Sequence, residues 1–240
     1  AACRAHDIRI LVYTSSPSVA YPPTLDIENC DESLPYPPHY LAHYPATKAL
    51  AEQLVMRCDR QELRAAALRP HLIWGPRDPH LLPRLIRAAA AGRLAMVGNG
   101  HNRVDLTHAA NAAAAHVLAA EFLARQKEPC RKIYFISDDA PVHLWDWTNT
   151  LLARLKLPEI RRRIGYRKAY AAGAVMETLY RLLPLPGEPP MTRFVAGQLA
   201  FSHYFDIGAA RRELGYHPVI SPAEALDKTV YWLEKEILHR

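Results

Sequence analysis

Apolar positions along the chain fall into two rhythms that lay out an alternation of strands and helices. Residues 8–14 (IRILVYT) are apolar and β-branched on both faces, as in a strand buried in a parallel sheet. The run ends at Ser15-Ser16 and gives way to a proline-rich stretch reaching Tyr40, which predicts a long, partly extended loop. Residues 45–57 place a proline in a first turn and Leu50, Leu54 and Val55 on one face, which predicts a helix. A second apolar strand is predicted over 64–73, closed by Trp74-Gly75-Pro76. Strand, helix and strand in this order form a parallel crossover unit.

Downstream, a helix is predicted over 81–91, and 94–97 turns at Asn99-Gly100 into 103–106 as a hairpin-like pair. An alanine-rich helix follows over 109–123, then a third buried strand over 132–136 (KIYFI). Beyond it the character changes to helices with short strands. Asp206 is placed to cap a helix over 207–214, with Gly215 as its left-handed stop. Ser221-Pro222-Ala223-Glu224 is a capping box opening a last helix. The first residues, AACRAH, read as a helix end, so the chain is expected to begin inside a fold.

Composition narrows the class. At 240 residues, half of them hydrophobic, the chain can bury a sizeable core as one large domain or two small ones. Its twenty prolines cluster in connections, at 22–23, 35–38 and 184–190. The net charge of +6 fits an anionic ligand. The densest basic run, Arg161-Arg162-Arg163, has no aromatic interleaving or finger spacing, so no nucleic-acid partner is expected. Cys3, Cys30, Cys58 and Cys130 are scattered, as in reduced thiols of a cytoplasmic protein, and no metal site is expected. His39 and His43 lack a carboxylate partner, so they are read as ordinary surface or loop histidines. No apolar run is long enough for a transmembrane segment; the best candidate, 169–185, is interrupted by Glu177 and Arg181.

The chemistry-bearing residues stand in one order: a strand ending in Ser16, then Tyr44-Pro-Ala-Thr-Lys48, then a strand ending at Arg69-Pro70. On a helix, residues four apart share a face, which puts the Lys48 ammonium beside the Tyr44 phenol. A tyrosine used as a general acid must titrate far below its ordinary value of about 10, a change worth roughly 4 kcal/mol. A neighbouring ammonium and a helix N-terminus both act in that direction. A hydroxyl at the carboxyl edge of a parallel sheet, as at Ser16, lies where open α/β folds bind ligands. Y-x-x-x-K alone arises often by chance; all three features between the right elements do not.

Leu11-Val-Tyr-Thr-Ser-Ser16, Tyr44-Pro-Ala-Thr-Lys48 and Leu68-Arg-Pro-His-Leu-Ile-Trp-Gly-Pro76 resemble the extended short-chain dehydrogenases/reductases, in their 3β-hydroxysteroid-dehydrogenase-like branch. The resemblance continues through Pro189-Pro-Met-Thr-Arg193 and Arg211-Arg-Glu-Leu-Gly-Tyr216. Residues 72–84, 92–98 and 185–194 are most similar to the members that reduce 2-alkyl-3-oxo acids. The resemblance implies an α/β, Rossmann-type doubly wound parallel sheet with a mainly helical C-terminal substrate-binding part. It divides the chain into 1–136, the nucleotide-binding part with substrate-side insertions around 77–106, and 137–240. It implies Ser16 as the carbonyl-polarising hydroxyl, Tyr44 as proton donor and Lys48 as the residue that assists Tyr44 and holds the nicotinamide ribose. Thr14 and Ser15 would lie along the nicotinamide end of NADPH (or NADH), and Pro70, His71 and Leu72 near its carboxamide. The partners implied are a small apolar carbonyl or alcohol substrate and a second copy of the chain, through the Tyr44 helix.

One departure stands out. The family's Gly-x-x-Gly-x-x-Gly turn, which brings backbone to the pyrophosphate at a helix N-terminus, has no counterpart among the ten glycines. The N-terminal βα units are therefore expected to be missing, and the chain alone is expected to be an inactive fragment with a raw sheet edge. The alternatives are an NAD-dependent 3β-hydroxysteroid dehydrogenase, a sugar-nucleotide epimerase/dehydratase-like enzyme and a non-catalytic cofactor-sensing scaffold. Leu72, and the Val104 between Arg103 and Asp105, speak against a sugar nucleotide; retention of Ser16, Tyr44 and Lys48 speaks against a scaffold.

Overall fold

The computed structural model describes residues 2–57, 63–183 and 185–238, so Cys58 and Pro184 lie outside it. After a short helix α1 (Ala2–Ala5), β1 (Ile10–Thr14) enters a three-stranded parallel sheet. β2 (Ile27–Cys30) lies apart from that sheet, and α2 (His43–Met56) crosses over to β3 (Arg64–Pro70), which pairs with β1 from Ile10↔Arg64 to Thr14↔Leu68. The predicted strand over 64–73 breaks at Pro70, because Leu72 takes a left-handed φ of 42° before β4 (Ile73–Trp74) begins. Then come α3 (Leu81–Ala90), β5 (Met96–Val97), β6 (Arg103–Val104), β7 (Thr107–His108) and α4 (Ala109–Arg125). β8 (Arg131–Ile136) completes the sheet in the order β1-β3-β8.

Period-two alternation on β3 dictates the two layers. Ala66 and Leu68 point to α4, where Ala115, Ala119 and Leu123 form a buried stripe one turn apart. Arg69 points to the opposite face, toward α2. Three alanines in a row, Ala65 to Ala67, leave β3 so slender that both helices close on it and bury it from Ala65 to Pro70. The expected doubly wound arrangement is therefore present.

The hairpin expected at 94–106 does not form. β5 pairs in parallel with β10 (Arg163–Ile164), and β6 pairs with β9 (Val142–His143) and β11 (His203–Phe205). The reason is hydrogen-bond supply: the N–H groups of Met96 and Gly98 donate to Arg162 and Ile164 carbonyls instead of crossing the turn. α5 (Leu144–Arg154), α6 (Tyr166–Leu182) and α7 (Arg193–Ala200) make up the helical C-terminal part. β11 returns to lie beside β2, so the chain's end is woven back into its beginning. Asp206 caps as expected, accepting from Gly208 N at 2.6 Å, but the helix it opens widens into a π-turn over Ala210–Leu214 before the left-handed Gly215. Ser221 caps α8 (Pro222–Leu233) through Glu224 N; the Glu224 carboxylate pairs with Lys228.

One polar contact is buried between these layers. Glu52 of α2 and Arg69 of β3, 0% and 1% exposed, meet through two hydrogen bonds of 2.6 and 3.2 Å. Tyr36 donates to the same carboxylate at 2.6 Å, and the guanidinium lies over the Tyr36 and Phe135 rings. Removing one partner strands a buried charge, which costs roughly 3–5 kcal/mol, whereas replacing both by apolar residues is far milder. Glu52→Ala is accordingly expected to lose about that much in urea unfolding, and Glu52→Leu with Arg69→Met to regain most of it. A Glu52→Ala protein as stable as the parent contradicts this reading.

Candidate functional site

The carboxyl ends of β1 and β3 lie side by side, and the predicted residues gather there. Ser15 N donates to Leu68 O at 2.6 Å, continuing the ladder one residue past β1. Its side-chain Oγ is buried without a partner. Ser16 then turns away in an extended conformation and caps the 3₁₀ turn Pro17–Val19, its Oγ accepting from Ser18 N at 3.3 Å and lying 2.9 Å from Ser18 Oγ. This cap fixes the hydroxyl at the mouth of the strand.

Tyr44 and Lys48 come from the first two turns of α2. Tyr44 is 54% exposed. Lys48 reaches back to donate from Nζ to Thr14 O at 2.9 Å, and its ammonium lies 5.2 Å from the centre of the Tyr13 ring. A second tyrosine is therefore close by, but burial, then the Glu52 carboxylate and Tyr44, push the Tyr13 phenol upward, away from proton-donor use near neutrality. Thr14 Oγ1 lies 2.7 Å from His116 Nε2, and His116 Nδ1 lies 2.7 Å from Ala112 O.

Pro70 and His71 are buried at the end of β3, and Leu72 follows in its left-handed conformation. His71 is tied into the C-terminal part. His203 Nε2 faces Gln198 O at 2.8 Å and must carry a proton, which leaves Nδ1 to accept from His71 Nε2 at 2.6 Å. Both imidazoles are kept neutral by burial, His203 down to about 4 and His71 well below its ordinary value. His203 and Gln198 were not anticipated from the sequence. They lie more than a hundred residues from the motifs, and only contact between β11, α7 and the β3 end unites them.

His203 and Gln198 also line a cavity of about 750 Å³ between α3, α5, α6 and α7. Its walls are apolar: Leu72, Leu82, Leu85, Trp145, Met176 and Leu199 are among them. Gly197 on α7 holds this wall against the loop after Ser16, since a Cβ there would overlap the Pro23 carbonyl. Tyr21 of that loop donates to Gln198 Oε1 at 3.2 Å. The carboxyl-edge residues and the apolar cavity thus share a wall. His39 and His43 are exposed, and no group of three or more metal-binding side chains occurs among the described residues.

Residues 1–164 match the model of the 3-beta hydroxysteroid dehydrogenase/isomerase family. The chain is 47% identical over 227 residues to the 2-alkyl-3-oxoalkanoate reductase of Stenotrophomonas maltophilia, covering 94% of this chain and 69% of that protein. It is 45% identical to the protein of the same name from Shewanella oneidensis, covering 95% and 61%. Identity to the decarboxylating sterol-4-alpha-carboxylate 3-dehydrogenase of Mus musculus is 34%, covering 95% and 64%. The chain spans about two thirds of the length of these curated relatives. Among solved structures it shares the fold of MoeE5 in complex with UDP-glucose and NAD, with a TM-score of 0.69 at 22% identity, covering 98% of this chain and 68% of that one. A UDP-galactose 4-epimerase gives 0.69 at 19%, covering 98% and 66%.

Two buried groups make opposite demands on pH. Burial pushes the Asp105 carboxyl up to about 7 from 3.8, so it binds its proton more tightly folded, and its contribution to stability grows as pH falls from 7 toward 3.8. His203 sits at about 4 against 6.5, so its contribution is full above 6.5 and is lost as pH falls toward 4. The two partly cancel in the parent. Asp105→Asn is expected to unmask the histidine effect, a loss of at least about 3 kcal/mol between pH 6.5 and 4 in urea titrations, to which His71, shifted in the same direction, adds. An Asp105→Asn profile parallel to the parent's contradicts this.

Proposed function

The chain belongs to the 3-beta hydroxysteroid dehydrogenase/isomerase family, and on that premise we propose that it is the catalytic and substrate-binding part of an NAD(P)H-dependent reductase acting on the 3-oxo group of a 2-alkyl-3-oxo acid. Support comes from one juxtaposition above all: Ser16 and Lys48 at the end of β1, beside a β3 end whose Leu72 and His71-bonded His203 line a large apolar cavity. The apolar stretch of these walls suits alkyl chains. The division into a nucleotide-binding part, 1–136, and a substrate-binding part, 137–240, belongs to the same reading.

The chain's own residues supply the proton chemistry. Ser16 Oγ–H donates to the substrate carbonyl and fixes its orientation. Tyr44 gives its phenolic proton to the carbonyl oxygen as that oxygen gains negative charge, so ketone becomes alcohol. Lys48, four residues further along α2, is assigned to assist Tyr44 and to hold ribose hydroxyls. The reduced nicotinamide, when bound, supplies the hydride. The unpartnered Ser15 Oγ, Thr14 and the 70–72 segment fit the nicotinamide end of such a cofactor. The sequence holds no glycine-rich turn for the pyrophosphate, so the 240-residue chain alone is proposed to bind NADPH poorly and to be inactive. A cytoplasmic homodimer through the outer face of α2, where Leu50 and Leu54 are exposed, completes the reading.

The test is NADPH oxidation, followed by absorbance, in a form of the protein extended at its N-terminus by the βα units of its relatives. Long-chain 2-alkyl-3-oxo acid is offered in parallel with a 3-ketosteroid. Turnover of the oxo acid is expected, with Tyr44→Phe slowing kcat by about 10²–10⁴-fold while NADPH binding stays near the parent's. Preference for the steroid overturns the substrate assignment, and near-normal turnover by Tyr44→Phe overturns the mechanism.

A further inference from the structure

The cavity between α3, α5, α6 and α7 is apolar inside and cationic where it opens. Its buried wall is aliphatic and aromatic, with Leu82, Val97, Leu106 and Trp145 at most 4% exposed. Its exposed charged residues, Arg84, Arg93, Lys168 and Glu188, mark the opening. Arg84 holds Glu188, the one carboxylate on the wall among the described residues, at 3.0 Å. Arg93, just past α3, and Lys168, in the first turn of α6, have no hydrogen-bond or ion-pair partner for their side chains among the described residues. The opening therefore keeps two uncompensated cations.

Most other polar side chains of the wall are engaged. Thr148 Oγ1 donates to Leu144 O at 2.7 Å, both ring nitrogens of His203 have partners, and Gln198 is held by Tyr21. Trp145 is different, because its Nε1–H is buried without an acceptor. Such a wall offers cations and a donor at a few points and apolar surface elsewhere. That suits a ligand with a long alkyl chain and an anionic end that only accepts hydrogen bonds. The volume of about 750 Å³ lies in the range of sites that enclose whole small molecules. An alkyl chain gains by leaving water for this wall, and a carboxylate kept at the rim beside cations avoids the cost of burial.

We propose that the cavity binds an unbranched long-chain carboxylate, a fatty acid, tail inward with its head group at Arg93 and Lys168. The carboxylate of a 2-alkyl-3-oxo acid does not fill this role. It sits on the carbon next to the ketone and stays beside Ser16 and Tyr44, neither of which lines the cavity. A fatty acid held head-outward occupies the space that a substrate's alkyl chain would take, so it inhibits the reductase competitively. That consequence rests on the reductase reading. The binding itself does not, since it needs neither cofactor nor the carboxyl-edge residues.

The test titrates the 240-residue chain with laurate, octanoate and the neutral dodecanol, all below their micellar concentrations. Binding is followed by calorimetry and by tryptophan fluorescence, since Trp145 and Trp147 both line the cavity. One laurate per chain is expected, with octanoate on the order of a hundredfold weaker, because each methylene it lacks is worth about fourfold in affinity. Arg93→Gln with Lys168→Gln, both at exposed positions, is expected to weaken laurate at least about tenfold and to leave dodecanol nearly unchanged, with the same circular dichroism. No laurate binding, many laurates per chain without saturation, or a double variant that binds laurate as the parent does overturns the proposal. Equal losses of laurate and dodecanol in that variant overturn it as well, because the cations then shape the cavity and do not hold a head group.

Discussion

A carboxylate and a guanidinium cut off from water, Glu52 on α2 and Arg69 on β3, are what the arrangement of the site depends on. Taking two such charges out of water is expensive, and the cost is offset only where geometry is good and spare lone pairs are satisfied. Here two hydrogen bonds join them, Tyr36 donates a third, and the Phe135 ring faces the guanidinium. Glu52 lies one turn beyond Lys48 and two beyond Tyr44, so fixing it against the sheet fixes the rotation of α2 about its axis. With that rotation set, Lys48 falls within reach of Thr14 O at the end of β1. The same pair draws in the loop after β2 through Tyr36, so helix, sheet and loop share one anchor.

A second set of contacts joins the carboxyl edge to the helical C-terminal part. His71, held neutral and hydrogen-bonded to His203, ends β3 on one side and meets the cavity wall on the other. Gly197 permits an approach to Pro23 that no side chain would allow. Moving α7 would therefore disturb both the loop after Ser16 and the cavity. Under the proposed function, this coupling would let the shape of an apolar substrate influence the positioning of its carbonyl.

The parts of this picture written locally were legible in the sequence. β1, α2, β3, α4 and β8 announce themselves as apolar runs or stripes, and Ser16, Tyr44 and Lys48 as short-range spacings on them. What escaped reading depends on distance along the chain. A charged Arg69 inside the otherwise apolar run AAALRP is a visible oddity, yet nothing local names Glu52 as its partner. His203 and Gln198 reach the β3 end only because β11 folds back beside β2 and β6. The hairpin inferred from Asn99-Gly100 failed for a related reason: β10 and β11, far along the chain, compete successfully for the hydrogen bonds of β5 and β6. Glycines at 98 and 100 do take left-handed conformations, so the turn was legible and its partner strands were not.

The account's central claim is that the buried pair holds the helix bearing Tyr44 and Lys48 in place. Amide hydrogen exchange tests it most directly, comparing the parent with Glu52→Gln, which keeps the shape of the side chain and removes its charge. The account predicts that the amides of α2 lose protection while those of α4, on the opposite face of the sheet, exchange almost as before. Unchanged protection across α2, or an equal loss in α2 and α4, would contradict it.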